Sequence, residues 1–526
     1  MKVMNSVAAS LNTRLYLHAG SHLGAVVHGQ GIPWDDDVDA FIDYRKKDEL
    51  ENICEGEGVE VHSSGVRLQC HIARNAFKVW LHYPGMTKLT GKYPWYSPFL
   101  DLFLYKVEDG RVWEVDPVGE RLEENYAIED YFPTRPYYFA GLHLLGPQSK
   151  IVESRYNLEI CKMAKWNHRI EKPLSDCGKP LGGMDTLDCT KLAKLFPFND
   201  QVNDVLEIEG NPNVIEVYPR RAAKMDTIVV RSPTIEERSA WFQEEDSMGQ
   251  ALSSALENLN EVEIDNSIST HSSCTGPLKV VELNAERGRW WMEATTLLQD
   301  ADVIILNEMD IGMARSDQQH TTRLMAHFLG MNYAWGLEFV ELTPGTEEDR
   351  YNANGVPDFN GLHGNGFLTK CAISDPVIFR NEIGDYFSSV PAGLNANGLE
   401  KRLGGRMGMF GKIIVDGNET VIGSVHKISG YEDEVKQYIG KRDAIIAGDQ
   451  DFAYCGRVGL ENIHSNPVQN TWPATCESFG RARGDHICSN MKVVEDEVTT
   501  MPCVTNFGFS TQIGDHAIIS TSLAGM

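Results

Sequence analysis

Five apolar runs in the C-terminal half of the chain each carry polar or charged residues at or near one end, and this repetition constrains the fold most. Runs of this length and composition are typical of buried strands. Polar residues at strand ends gather along one rim of a sheet, where functional sites are commonly built. The five runs are LKVVELN (278–284), DVIILNEMD (302–310), NETVIGSVHKI (418–428), RDAIIAGDQD (442–451) and DHAIISTSL (515–523). The pattern predicts a domain from residue 277 to residue 526 with a site along a sheet rim.

A second constraint is a run of aspartates directly behind Pro33 and Trp34, in the stretch WDDDVDAF. A solvated acidic turn and an acidic interaction tail are the two alternatives, but the apolar segments on both sides fit neither. If the stretch is a strand, its side chains alternate, so that Asp35, Asp37 and Asp39 share one face. Three carboxylates on one face form an oxygen site suited to Mg²⁺ or Mn²⁺.

Two further features of the N-terminal region fit a site that binds metal and phosphate. Gly20 and Ser21 lie in a loop-like stretch of small residues, which lets backbone N–H groups approach a phosphate. Asp101 is a lone acid in the apolar run YSPFLDLFLY. A single carboxylate in a core strand is unfavourable unless it is paired or bound to a metal.

The stretch HAGSHLGAVVHGQGIPWDDDVDAFI (18–42) resembles the signature of the LicD/fukutin family. The resemblance implies a nucleotidyltransferase-like fold that transfers phosphocholine or a sugar phosphate from a nucleotide-activated donor to a glycan. Val27 departs from the pattern, because the family usually carries arginine there. The residues implied as functional are Asp35, Asp37, Asp39 and Asp101 for the metal, and Gly20 and Ser21 for the phosphate.

The polar residues of the C-terminal half need one explanation, although each has a simple alternative when taken singly. A lone histidine in a strand is usually a core residue, and a lone glutamate after an apolar run is often a cap. Together they resemble, in order, the pattern of the endonuclease/exonuclease/phosphatase superfamily. The residues are Asn284, Glu308, the segment from His363 to Asn365, His426, Asp449, Asp451, Asp485, Asp515 and His516.

This second resemblance implies a four-layer αββα sandwich and metal-dependent phosphoester hydrolysis. Glu308, helped by Asn284, would hold the divalent ion. His516, oriented by a carboxylate such as Asp485, would act as general base or stabilise the transition state, and Asp449 would position or deprotonate the attacking water. The Gly-Asn segment around Asn365, together with His426 and Arg406, would bind the phosphate, although sequence alone does not decide which histidine has which role.

Two positions depart from the superfamily pattern. Asp451 stands where asparagine is usual, and we expect it to add a metal ligand. Gly514 stands where serine is usual, and the Asp515–His516 pair that follows is kept.

Composition limits the partners and the compartment. The net charge of −27 lowers the expectation of nucleic-acid binding, because an acidic chain repels a phosphate backbone. The eleven cysteines have no CxxC pairs and an odd count, which favours free thiols in a reducing compartment. No apolar run is long enough to span a membrane, and the N-terminus is a poor signal peptide, so a cytoplasmic location is favoured. Because the candidate site begins near Gly20, an upstream segment is expected to be missing.

The fold class expected is therefore α/β and α+β. A nucleotidyltransferase-like domain (1–198) precedes an irregular linker (199–276) and an endonuclease/exonuclease/phosphatase domain (277–526). The expected function is transfer of a phospho-group by the first domain and Mg²⁺- or Mn²⁺-dependent hydrolysis by the second. The substrate would be a phosphorylated small molecule, glycan or lipid head group. A metal-dependent nuclease, supported by the patch RGRWWMEA (287–294), and a scaffold protein with degenerate sites are the alternatives.

Overall fold

The structure is a computed structural model that describes residues 1–32, 37–61, 65–88, 90–156, 166–167, 172–173, 233–243, 260–380, 402–451, 453–463, 485–500, 503–506, 509–512 and 518–525. The chain divides into two units, the first made mainly of Met1–Ile208 and the second mainly of Arg221–Val504. Within the described ranges, no helix has both the length and the apolar character needed to cross a membrane.

In its described residues, the first unit has one mixed sheet, five α-helices and a separate pair of short strands. Its helices are α1 (Lys2–Ser10), α2 (Ala19–His28), α3 (Lys47–Cys54), α4 (Ile128–Tyr131) and α5 (Ser149–Arg155). Its sheet strands are β1 (Leu15–Leu17), β2 (Val38–Asp43), β3 (Val59–Glu60), β4 (Arg67–Ile72), β5 (Phe77–His82), β6 (Leu100–Glu108), β7 (Arg111–Val115), β8 (Arg121–Ala127), β9 (Arg135–Phe139) and β10 (Leu142–Gly146), and the short pair is β11 (Trp166–Asn167) and β12 (Lys172–Pro173).

The two faces of this sheet differ in chemistry. The strand order is β3-β4-β5-β6-β2-β1-β10-β9, with β7 beside β6 and β8 beside β7. Residues at alternate positions, such as Ala40 and Leu102, pack with Val7 of α1 and Leu50 of α3 in an aliphatic core. Because side chains alternate along a strand, the acids Asp39 and Asp101 lie on the opposite face, together with the aromatic side chains of β2 and β6.

In its described residues, the second unit contains two large sheets and a separate pair of short strands. Its helices are α6 (Ile235–Gln243), α7 (Trp291–Leu298), α8 (Thr321–Leu329), α9 (Glu347–Ala353), α10 (Glu432–Ile439) and α11 (Tyr454–Arg457). Its strands are β13 (Val262–Asp265), β14 (Leu278–Asn284), β15 (Val303–Ile311), β16 (Asn332–Glu341), β17 (Leu362–Thr369), β18 (Ser374–Arg380), β19 (Arg402–Gly404), β20 (Met407–Val415), β21 (Asn418–Val425), β22 (Asp443–Asp449), β23 (Glu461–Asn462), β24 (Asp485–Ser489), β25 (Lys492–Thr500), β26 (Cys503–Asn506), β27 (Phe509–Gln512) and β28 (Ile518–Ala524).

These two sheets pack face to face. The first has the order β13-β16-β17-β15-β14-β28-β25 with β19 beside β16, and the second has the order β18-β20-β21-β22-β24-β23, while among the described strands β26 and β27 pair only with each other. The core between them includes Val280, Ile305, Phe367, Met409, Ile422 and Ala447, all fully buried. Apart from Ala447, each of these side chains contributes roughly 1.5–3 kcal/mol by leaving water.

Helices cover both outer faces of this pair of sheets. Helix α8 packs on β15 and β16, while α10 and α11 pack on the second sheet through Val435, Ile439 and Tyr454. The αββα sandwich predicted from the sequence is therefore confirmed, and all five predicted apolar runs contain strands of it.

The second unit begins earlier in the chain than the sequence analysis placed it. Strand β13 pairs with β16, and its residues fall within the segment interpreted as an irregular linker. Arg238 of α6, which falls in the same segment, is buried and donates to the carbonyl oxygens of Glu341 and Asp358. Part of the predicted linker is thus built into the fold.

The cysteine interpretation was wrong. The structure contains the disulfides Cys54–Cys70, Cys274–Cys371 and Cys455–Cys488, and Cys503 is also disulfide-bonded. The members of each pair lie far apart in sequence and are brought together by strand pairing and helix packing, which no spacing motif reveals. Disulfides of this kind are typical of oxidising compartments, so the cysteines do not favour a reducing one.

Candidate functional site

The acid cluster of the first unit is formed by two parallel neighbouring strands. In the β2–β6 register, Asp39 lies directly opposite Asp101. Asp37 precedes β2 by one residue, and one carboxylate oxygen from each of these three aspartates lies within 4.8 Å of the others. Asp39 and Asp101 are buried. Three carboxylate oxygens gathered in this way fit a hard divalent cation. Asp35, the remaining predicted ligand, lies outside the described residues.

The predicted phosphate-binding residues border this cluster. Helix α2 begins at Ala19, so Gly20 and Ser21 lie in its first turn. The backbone N–H of Gly20 donates to Asp39 Oδ2 at 3.1 Å, and Ser21 Oγ accepts from the Asp39 backbone N–H at 2.8 Å. Both residues therefore orient Asp39, and the N-terminus of α2 lies next to the acids. Val27, the departure from the family pattern, lies further along the same helix.

A basic residue that the sequence analysis did not identify joins the cluster. Lys78 on β5 lies directly opposite Asp101 on β6. Its Nζ atom is 2.6 Å from Asp101 Oδ1 and 2.8 Å from Oδ2. The available signal was a single lysine within the apolar strand AFKVWL, which suggests a buried partner of opposite charge.

In the second unit, two β-bulges place two glutamates on either side of one asparagine. The pairing of β15 with β17 shifts between Leu306 and Met309, and that of β16 with β17 shifts between Leu337 and Phe339. The extra residues in these bulges are at Glu308, which has a φ of 59°, and at Glu338. Bulges often occur next to active sites because they redirect a side chain.

Asn365 of β17 connects the two glutamates. Its Oδ1 accepts from the backbone N–H of Glu308 at 3.2 Å, and its Nδ2 donates to Glu338 Oε2 at 3.2 Å. Asn284, at the end of β14, donates through Nδ2 to Glu308 Oε1 at 3.4 Å. The predicted residues Asn284, Glu308 and Asn365 are therefore brought together, and Glu338 is a neighbour that the sequence analysis missed.

His426 lies at the centre of this group and is almost completely buried. Its Nδ1 is 2.9 Å from Glu338 Oε2, and its Nε2 is 3.6 Å from Asp449 Oδ2 and 3.8 Å from Glu308 Oε1. Arg406 Nη1 lies 3.0 Å from Glu338 Oε1. The structure thus gathers His426, Asp449 and Arg406 around the two glutamates.

The charges in this group stabilise one another. Burial alone would raise the pKa of Glu338, but the charges of His426 and Arg406 lower that pKa to about 2. Burial also opposes ionisation of Glu308, yet Arg287 and then His426 hold the pKa of Glu308 well below its ordinary value. Both acids are therefore ionised at neutral pH.

His426 and Asp449 are shifted as a pair. Burial and Arg406 act to lower the pKa of His426, but Glu338 and Asp449 raise it above its ordinary value. Burial acts to raise the pKa of Asp449, and hydrogen bonding to His426 together with the charges of His426 and Lys427 lowers it. The pair therefore favours a charged imidazolium beside a charged carboxylate.

Asp485 lies directly opposite Asp449 in the β22–β24 register and is completely buried. Burial, with Asp485 and Asp449 nearby, raises the pKa of Glu282 well above its ordinary value, so Glu282 is expected to be neutral. Asp515 and His516, the other predicted catalytic residues, lie outside the described residues, and strand β28 begins shortly after them at Ile518.

Asp451 is engaged away from this group. Its carboxylate pairs with Arg457, at 2.6 Å from Nη2 and 2.9 Å from Nη1, and accepts from the backbone N–H of Ala453 at 3.0 Å. The Asp451 side chain is 57% exposed, whereas the acids around His426 are buried. The expectation that Asp451 adds a metal ligand is not met by this geometry, in which it anchors the turn into α11.

Three further residues of the site were also missed. Arg287 Nη1 is 2.8 Å from Glu308 Oε2, and Lys427 Nζ is 2.9 Å from Asp449 Oδ2. Asn307 accepts from the backbone N–H of Asp449 at 2.9 Å and so ties β15 to β22 across the two sheets. Arg287 and Lys427 each lie within three residues of a predicted site residue along the chain, which was the only signal for them.

The first unit matches a known family. Residues 12–149 match the family model described as "LicD/FKTN/FKRP, nucleotidyltransferase domain", which confirms the N-terminal resemblance. No curated protein matches the chain.

Several solved structures align with part of the chain at low identity. An endonuclease/exonuclease/phosphatase family protein from Leptotrichia buccalis is 13% identical and covers 47% of this chain and 99% of its own, with a TM-score of 0.31. A mannosyl-6-phosphatase from Bacteroides thetaiotaomicron is 14% identical with the same coverages and a TM-score of 0.32. The 3′ phosphatase NExo from Neisseria is 11% identical, again with these coverages, at a TM-score of 0.31.

Proposed function

We propose that this chain is a bifunctional phosphate-handling enzyme. Its N-terminal domain, residues 1–198, would transfer phosphocholine or a sugar phosphate from a nucleotide-activated donor to a glycan. Its C-terminal domain, residues 277–526 together with the preceding β13, would hydrolyse a phosphoester of a small molecule, a glycan or a lipid head group. Both reactions would use Mg²⁺ or Mn²⁺.

The convergence of Glu308, His426 and Asp449 carries the hydrolytic part of the proposal. A divalent ion bound by Glu308 and Asn284 would supply positive charge to the phosphoryl oxygens. His426, held charged by Glu338, donates to a phosphoryl oxygen, and Arg406 lies beside it to do the same. Asp449 orients a water molecule, whose oxygen bonds to phosphorus as the ester P–O bond breaks. The proton lost by the water ends on the departing alcohol.

The Asp37, Asp39 and Asp101 cluster supports the transfer reaction. In that reaction the acceptor hydroxyl oxygen bonds to the phosphorus of the donor, and the bond between that phosphorus and the nucleotide breaks. The hydroxyl proton passes to a carboxylate of the cluster, and the nucleotide leaves with the electron pair of the broken bond. A divalent ion held by the three carboxylates would neutralise the phosphate charge during this exchange.

The proposal for the second unit is tested by a hydrolysis screen with Mg²⁺ or Mn²⁺ over nucleic acids, phospholipids, inositol phosphates and sugar phosphates. Glu308→Gln keeps the shape of the side chain and removes its charge, so we expect it to slow hydrolysis about 10²–10³-fold, as when a group that stabilises transition-state charge is lost. The matched control is Glu419→Gln, because Glu419 is exposed and paired with Arg442. Hydrolysis that persists in Glu308→Gln and in the presence of EDTA would contradict the assignment.

A further inference from the structure

Lys78, Asp101 and Asp39 form a row across three adjacent strands of the first unit. Lys78 on β5 is opposite Asp101 on β6, and Asp101 is opposite Asp39 on β2. Neighbouring strands lie about 4.8 Å apart, so residues in such a row point side by side from one face of the sheet. A fixed positive charge is therefore one strand away from the candidate metal ligands.

The surroundings of Lys78 hold its ammonium group at this position. Besides the two short distances to the Asp101 oxygens, Nζ lies 4.6 Å from the ring centroid of Phe99 and 5.6 Å from that of Trp95. A carboxylate and aromatic faces all favour a cation. The Lys78 side chain is only 14% exposed and that of Asp101 only 9%. The ammonium thus stays beside the cluster rather than moving freely in solvent.

A divalent ion at this cluster must share Asp101 with Lys78. Both Asp101 oxygens are already within hydrogen-bonding distance of Nζ, while Asp39 and Asp37 have oxygens within 4.8 Å of an Asp101 oxygen. The ion and the ammonium repel each other and compete for the same carboxylate. A phosphate group changes this balance, because its several oxygens bind a metal ion and a lysine ammonium at the same time.

We propose that Lys78 weakens metal binding at the cluster of Asp37, Asp39 and Asp101 when no phosphate is present, and that it binds the phosphoryl group of the donor together with the ion. This inference rests on the proposed transfer function. The ammonium neutralises an oxygen of the phosphoryl group while the acceptor oxygen bonds to phosphorus and the bond to the nucleotide breaks. Lys78 is not consumed and gives up no proton in this step. Metal and donor would consequently bind in a mutually dependent manner.

The test uses the full chain and two binding measurements that do not require turnover. Mn²⁺ binding is followed by calorimetry, and the part lost in Asp37→Asn defines the N-terminal site. Pyrophosphate is then titrated in the presence of saturating Mn²⁺. We expect Lys78→Met to tighten Mn²⁺ at this site on the order of tenfold, because a repelling charge is removed, and to weaken pyrophosphate by a similar factor. Lys78→Arg keeps the charge and should change both affinities much less.

Lys106→Met is the matched control. Lys106 lies in the same sheet, on β6, but its Nζ donates to the carbonyl oxygen of Gly119 and lies 4.1 Å from the Tyr44 ring centroid. We expect it to alter neither affinity. Thermal unfolding of all variants shows whether each one is folded.

The outcomes separate this inference from the function on which it rests. If the wild-type chain has no Mn²⁺ binding that Asp37→Asn removes, the proposed transferase site is wrong. If that binding is present but Lys78→Met leaves it unchanged or weakens it, Lys78 only neutralises Asp101 and the inference is overturned. Tighter Mn²⁺ binding with unchanged pyrophosphate binding would overturn the phosphoryl-binding role.

Discussion

Replacing Glu338 by glutamine should change both the stability and the pH dependence of the second unit. Glu338 is fully buried, and its carboxylate lies 2.9 Å from His426 and 3.0 Å from Arg406. Its pKa lies at about 2, compared with an ordinary value of 4.5. Because one pKa unit corresponds to about 1.36 kcal/mol, the charged form contributes roughly 3 kcal/mol to the folded state.

The sign of the stability effect follows from the direction of this shift. The pKa of Glu338 is lower in the folded chain than in the unfolded chain. Its contribution is therefore fully present above about pH 4.5 and is lost as the pH falls toward 2. We expect Glu338→Gln to lower the free energy of unfolding of this unit by about 2–3 kcal/mol at pH 7, measured by urea denaturation, with the difference shrinking toward acidic pH.

The second effect acts through His426. Glu338 is one of the two acids that raise the pKa of His426, whereas burial and Arg406 act to lower it. Without the negative charge, His426 should lose its proton at a lower pH. Since the proposed reaction uses the charged imidazolium, the alkaline limb of the hydrolysis profile should move to lower pH in Glu338→Gln.

Glu341→Gln is a stringent control for this pair of effects. Glu341 lies on the same strand and is fully buried, but its carboxylate pairs with Arg315, at 3.3 Å. This variant should also destabilise the unit, yet leave the alkaline limb in place. An unchanged limb in Glu338→Gln, or equal shifts in the two variants, would refute the argument that Glu338 sets the charge of His426.

Three other predictions follow from the two sites. Asp37→Ala should abolish Mn²⁺ binding at the N-terminal cluster in calorimetry. Asp36→Ala should be much milder, because the alternation of the sequence run predicts that Asp36 faces away from the other acids. Equal losses in the two variants would disprove the predicted shared face. Asp451→Asn should leave the Mg²⁺ dependence of hydrolysis unchanged. It should alter the free energy of unfolding by no more than about 1 kcal/mol, because Asp451 and Arg457 form an exposed ion pair. A large rise in the Mg²⁺ concentration required for hydrolysis would instead support Asp451 as a metal ligand. The net charge of −27 predicts weak DNA and RNA binding even at low salt, and submicromolar affinity that falls steeply with salt would favour the nuclease alternative.

The sequence predicted those parts of the sites whose residues are adjacent or regularly spaced along the chain. Alternation in the run WDDDVDAF predicted that Asp35, Asp37 and Asp39 would share a face, and the apolar runs predicted the strands that carry Glu308 and Asp449. These inferences use the local geometry of a strand, which neighbouring residues determine.

The residues that were missed depend on pairing between distant strands. Glu338 looks like any acid in the apolar strand AWGLEFVEL, and only the bulge opposite β17 turns it toward His426. Lys78 belongs to the site only because the register of β5 and β6 places it opposite Asp101. The ion pair of Asp451 could not be predicted for the same reason, since the family pattern gave no sign that Arg457 would bind its carboxylate. The disulfides likewise follow from tertiary packing.

The two bulges that flank β17 interrupt the regular strand pairing at the positions where the sheet carries Glu308 and Glu338. Strands β15 and β16, which flank β17, each use one residue more than β17 over the same length of sheet. Deletion of the extra residue at either bulge would restore an uninterrupted hydrogen-bond ladder. It would also exchange the two faces of the sheet for every residue of that strand beyond the deletion. Each bulge therefore fixes the length of chain that its strand can use. A single-residue deletion would regain the ladder, but it would turn the buried side chains beyond it to the wrong face, so that it should both destabilise the sheet and misplace the glutamate.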